Sequence, residues 1–124
     1  MAVFTHVTAY GPTLEAGEDL AAGDNVCVAD ADGLLYKADS NASTRRPCIG
    51  AVDVAVSDGE DAAVILAGRR NDGTSLKEGQ MIYLSATPGA ETQTGNTGVQ
   101  VIGIAYSTTE WYFAPQLAYG IPTA

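Results

Sequence analysis

One histidine, two cysteines, a pair of aspartates and two arginine doublets are the chemically able residues of this 124-residue chain: His6, Cys27 and Cys48, Asp30 and Asp32, Arg45-Arg46 and Arg69-Arg70. A hydrolytic site would need His6 beside an activated nucleophile, and no Gly-x-Ser-x-Gly or comparable setting accompanies it. Metal centres draw on clustered His, Cys or carboxylate ligands. A lone histidine and two separated cysteines do not make such a cluster by spacing. The cysteines sit in apolar, strand-like stretches, which predicts buried free thiols.

The stretch "VADADGLLYKAD" invites a calcium reading. Fitting an EF-hand loop to Gly33 puts Val28 at the first ligand position and Asp39 at the last, which breaks the motif. Asp30 and Asp32 read instead as hairpin-turn residues. No glycine-rich phosphate cradle precedes a helix. Neither Lys77, ahead of the turn at Gly79, nor Lys37, inside a strand-like run, has the exposed hairpin-tip setting of a biotinyl or lipoyl carrier lysine. The residues therefore predict no catalytic site, no cofactor and no metal.

The elements that would position any site are short strands. Residues 25–29 and 34–38 flank the turn "DADG" as a β-hairpin. Residues 47–56 read as a long strand in which Gly50 marks a bulge or a close backbone approach. Residues 61–68 form a buried strand, and 69–79 a loop with room for one helical turn. Strands follow at 80–85, 99–107 and 110–115, with a polar loop over 86–98. In "EWYFAP" the aromatics alternate poorly, so Trp111 belongs either to a core strand at a sheet edge or to an oligomer interface.

The chain says one thing twice. "LAAGDNVCVA" at residue 20 and "LKEGQMIYLS" at residue 76 align so that Gly23 meets Gly79, Val26 meets Ile82, Val28 meets Leu84 and, further on, Gly33 meets Gly89. Each pair is 56 residues apart. "IGAV" at residue 49 returns as "VIGIA" around residue 103. The predicted fold is mainly β: a small barrel or sandwich of two duplicated units, about 20–68 and 76–114, within a domain spanning 20–115. One unit leaves an apolar face and open edges, and two together close them. Residues 1–19 read as an extended N-terminal arm whose Val3, Phe4 and Val7 have no evident partner within one subunit, and 116–124 as a tail. Such an arm could add a strand to a neighbour; the alternative is a strand of the protein's own barrel.

Fifteen acidic against six basic residues give a formal net charge of −9. That disfavours nucleic acid and anionic membranes, which need a basic face. No apolar run approaches the ~20 residues of a membrane helix, and the N-terminus lacks a signal-peptide pattern, which predicts a cytoplasmic site of synthesis. The two arginine doublets are either solvated loop charge or contacts to an acidic partner.

The stretches "AGDNVCVADADGLLYKA", "IGAV", "LKEGQMIYLSATPG" and "VIGIA", in that order before a terminal aromatic strand, resemble the capsid decoration, or cement, proteins of tailed bacteriophages. The resemblance covers roughly residues 18–114. It implies a non-enzymatic, β-rich protein, commonly a homotrimer, on the outer face of the virion's icosahedral head, bridging major capsid protein subunits. Candidate contacts to shell or neighbour are Val3, Phe4, Val7, Arg45, Arg46, Arg69, Arg70 and Trp111. The competing classes are a sugar-acid-like small-molecule binding or enzymatic β-domain, and another phage part such as a head fibre or tail accessory protein.

Overall fold

A computed structural model describes residues 3–95 and 99–115. Among these the chain is all β, with no helix: β1 (Phe4–Glu15), β2 (Asn25–Val28), β3 (Leu35–Lys37), β4 (Gly50–Ala51), β5 (Asp61–Arg70), β6 (Met81–Leu84), β7 (Glu91–Thr92), β8 (Val101–Ala105) and β9 (Trp111–Phe113). All strand pairs are antiparallel, along the path β3-β2-β4-β5-β9-β8-β6-β7, with β1 on β5. The sheet curls into a barrel-like half-cylinder.

The duplication is carried in the register. Val26 pairs with Gly50, and Ile82 pairs with Gly103. Cys27 pairs with Tyr36, and Tyr83 with Thr92; Val28 pairs with Leu35, and Leu84 with Glu91. The turns match as well: Gly23 and Gly79 have φ of 91° and 78°, a region that a branched residue enters only with strain. A side chain at Gly50 would press on Val64 and the Ile65 carbonyl, and one at Gly103 on Trp111 and the Tyr112 carbonyl. Close strand approach, rather than a bulge, is what Gly50 provides.

The two units are not packed alike. Val26 joins a cluster with Leu20, Leu35, Val52 and Val64, whereas Cys27 faces a second cluster with Ile82, Ile102, Trp111 and Phe113. At Val26 and Cys27 both faces of β2 are covered, so these neighbours are both apolar instead of alternating. Leu20 is buried, but its counterpart Leu76 is only half-buried.

Four expectations need correction. Of the two readings of the N-terminal segment, the structure shows the strand of the protein's own barrel and not the unpartnered arm: β1 pairs with β5 from Phe4↔Arg70 to Glu15↔Asp61. Because Gly68–Arg70 pair with both β1 and β9, and Ile65 with both β1 and β4, β1 fills one edge of β5 while β4 and β9 share the other. The long strand over 47–56 shrinks to Gly50–Ala51, and β7 forms inside the stretch read as a loop. The segment 71–79 holds no helical turn. The tail at 116–124 lies outside the described residues.

Candidate functional site

Arg70, the last residue of β5, is wholly buried in spite of its charge. Nothing in the interior could hold a guanidinium without hydrogen-bond acceptors, and four surround it. Its Nε and Nη2 donate to the two oxygens of Asp72 at 3.1 and 2.5 Å, a bidentate pair. Its Nη1 donates to Oδ1 of Asn25 at 2.8 Å, and Nη2 also donates to the Gly23 carbonyl at 2.7 Å. Aromatic rings flank it: Trp111 at 4.5 Å, Phe113 at 5.1 Å and Phe4 at 5.4 Å from the guanidinium carbon. The Trp111 indole N–H donates to Asp72 at 3.0 Å, so one carboxylate serves both side chains.

This cluster ties the two units together. The Asn25 amide donates to the Gly89 carbonyl at 3.0 Å and to Glu91 Oε1 at 2.8 Å. Glu91 lies 3.8 Å from Arg70 Nη2. Burial, partly offset by Arg70 and by the Asn25 hydrogen bond, holds Glu91 above the ordinary carboxylate range. Asp24, next to Asn25, is raised by burial too, against the lowering effect of the Ala21 N–H it accepts.

Outside, the register aligns Met81, Ile104, Tyr112, Arg69 and His6 in one row across β6, β8, β9, β5 and β1. The rows on either side point inward: Ile82, Gly103, Phe113 and Gly68 on one flank, and Ala105, Trp111, Arg70 and Phe4 on the other, are buried. Met81 is 48% exposed, and Tyr106, whose ring lies 6.5 Å from that of Tyr112, is 53% exposed. The Thr8 and Tyr112 hydroxyls hydrogen-bond at 2.9 Å. The row carries no acidic residue, on a chain with fifteen.

The structure divides the sequence-derived contact residues. Phe4, Arg70 and Trp111 are buried in the protein's own core, which corrects their assignment to a contact surface. Strand alternation explains it. β5 runs two residues past the expected end, so Arg69 faces out and Arg70 in, and in β9 Tyr112 faces out while Trp111 and Phe113 face in. The aromatics of "EWYFAP" therefore alternate cleanly. Val3 and Val7 are half-buried against the same core. Of the other cations, Arg45 stacks 4.0 Å above the Tyr36 ring, and the exposed Arg46 donates to the Ser40 carbonyl at 3.1 Å. Arg45-Arg46 thus lie in the connection between β3 and β4, whereas Arg69 lies on β5.

Cys27 and Cys48 are free, buried thiols, with burial pushing them up to about 11 and about 12. Asp32 closes the hairpin turn, accepting from the Leu34 N–H at 3.0 Å and from the Tyr36 hydroxyl at 2.5 Å. His6 is exposed, opposite Arg69. Among the described residues no group of three or more His, Cys, Asp or Glu side chains converges to hold a metal ion. Sequence reasoning missed Asn25, Asp72 and Glu91. The available signal was Asn25 itself, a polar residue opening an otherwise apolar strand. No protein-family model matches the chain, and no curated protein matches it.

Proposed function

We propose that the protein is a non-enzymatic structural component of a bacteriophage virion that decorates the outer face of an icosahedral capsid and stabilises it by bridging major capsid protein subunits, as a homotrimer. The motif order resembling decoration proteins brings this reading. The structural observation that carries it furthest is the acid-free outward row Met81–Ile104–Tyr112–Arg69–His6 on a chain of net charge −9. A charged coat elsewhere keeps copies soluble. A face of low charge is where contact costs least desolvation, and many modest contacts on one shell add up.

The reading is tested by mixing the purified protein with expanded and unexpanded capsids, pelleting them, and imaging by negative stain. Expanded capsids should carry the protein down, and a folded Ile104→Asp/Tyr112→Asp variant should stay in the supernatant. Absence of the native protein from every pellet, or equal pelleting of the variant, overturns it. Sedimentation velocity tests the trimer against the 12.8 kDa chain mass.

A further inference from the structure

The outward row is not uniform along its length. It runs from Met81 and Ile104 through Tyr112 to Arg69 and His6, so its β6–β8 end is apolar and its β5–β1 end carries the cation. Neighbouring strands lie ~4.8 Å apart, which puts Arg69 about 10 Å from Ile104, with Tyr112 between them.

Tyr112 is held in place. β9 and β1 sit on opposite edges of β5 at Gly68, yet the Tyr112 hydroxyl bonds the Thr8 hydroxyl at 2.9 Å. The side chain therefore crosses the outside of β5, and its rotamer is fixed before any partner arrives. A fixed aromatic loses little further entropy on binding. Tyr106, 53% exposed, has its ring 6.5 Å away.

Arg69 is an exposed cation with no carboxylate in reach. Both ion pairs among the described residues belong to its inward neighbour Arg70. Glu110, two residues before Tyr112 in sequence, does not come within ion-pair distance of it. The Arg69 carbonyl accepts from the Thr5 hydroxyl at 3.3 Å, which leaves the guanidinium itself uncommitted. Tyr, Met and Arg are the residue types that protein interfaces concentrate, and Asp and Glu are among those they deplete. A guanidinium in such a patch is matched best by a carboxylate, which it grips with two parallel hydrogen bonds.

We infer that the surface received by this row is a protein segment that sets a carboxylate against Arg69 and an apolar side chain over the Tyr112 ring and Ile104. The inference rests on the reading of the row as the shell contact and names the chemistry of the partner: an acid with an apolar group roughly 5–10 Å away, one or two strand spacings along the row.

Two variants with the same charge reversal, Arg69→Glu and Lys77→Glu, are compared with the whole native protein in titrations onto expanded capsids, with the pelleted fraction as readout. Both positions are exposed, and general repulsion is equal in the two variants. Arg69→Glu should raise the concentration for half-occupancy at least tenfold, and Lys77→Glu should leave it within twofold of the native value. If Arg69→Glu does not fold, Arg69→Gln decides, because it removes the charge without adding one. Native-like titration by the Arg69 variant, tighter binding by it, or an equal loss in the Lys77 variant overturns the carboxylate partner while native pelleting keeps the shell reading. Absence of the native protein from the pellets overturns both. A smaller assembly formed by the Arg69 variant alone in sedimentation velocity makes the row a contact between copies and overturns the assignment to the shell.

Discussion

The side-chain amide of Gln100 closes two hydrogen bonds on the backbone of Cys48. It accepts from the Cys48 N–H at 2.8 Å and donates to the Cys48 carbonyl at 2.9 Å. A buried side chain of the second unit thus does for the first what a neighbouring strand would do, 52 residues away in sequence. Gln100→Leu would strand a buried N–H and carbonyl, at about 1–3 kcal/mol for each group left unsatisfied. Gln100→Glu keeps the acceptor but loses the donor and buries a charge, so it should cost at least as much. Urea denaturation of both variants checks this, and midpoints equal to that of the wild type would contradict it.

Arg70 predicts the largest single loss. Arg70→Met removes the partner of the partly exposed Asp72 and leaves the Asn25 amide oxygen and the Gly23 carbonyl without their donor. Breaking a buried pair from one side costs about 3–5 kcal/mol, and the partial exposure of Asp72 places the expectation near the lower figure. Arg70→Lys should recover little, since an ammonium cannot reproduce the bidentate fork or lie flat against Trp111. Arg69→Met, one residue earlier and exposed, should leave the denaturation midpoint almost unmoved. The contrast between neighbouring arginines is the readout.

The pH dependence has a definite sign. Glu91 and Asp24 are both raised, mainly by burial. A group whose folded value lies above its unfolded value contributes stability that is fully present below the unfolded value and is lost as pH rises through the folded one. Acidification from neutrality into the window just above the usual carboxylate range, about 4, should therefore raise the melting temperature. General charge repulsion on an acidic chain relaxes over the same window, so the difference between wild type and Glu91→Gln isolates the local part. The variant, permanently neutral there, should gain less on acidification. Parallel melting curves for the two proteins would exclude the effect.

Removing β1 should unfold the protein or drive it to aggregate. The strand covers one full edge of β5, and Phe4 meets Phe113 edge-on at 5.8 Å in the core. Asp53 pins its start by accepting from the Val3 and Phe4 N–H groups at 2.6 and 3.0 Å. A chain beginning at residue 17 would expose a ten-residue sheet edge, a template for pairing with other chains. Size-exclusion chromatography and circular dichroism of the truncated protein test this. A monomeric, folded product would show that the strand is dispensable.

The sequence by itself determined what is local or repeated. The 56-residue echo located β2 and β6, because the same glycine turn and the same apolar spacing select the same strand wherever they occur. Buried thiols, the Asp32 turn and the all-β class also follow from short-range pattern. What only the tertiary structure decided depends on distant partners. The hydropathy of β1 is too mixed to announce a strand, and its place comes from the free edge of β5. β7 exists because Tyr83 and Leu84 offer it a ladder. Arg70 reads as a solvated charge until Asn25 and the Gly23 carbonyl, brought from 45 and 47 residues away, join the adjacent Asp72 in replacing the water it gives up. A charge goes into a core only when the chain assembles its acceptors there, and that assembly is a property of the fold rather than of any stretch of sequence.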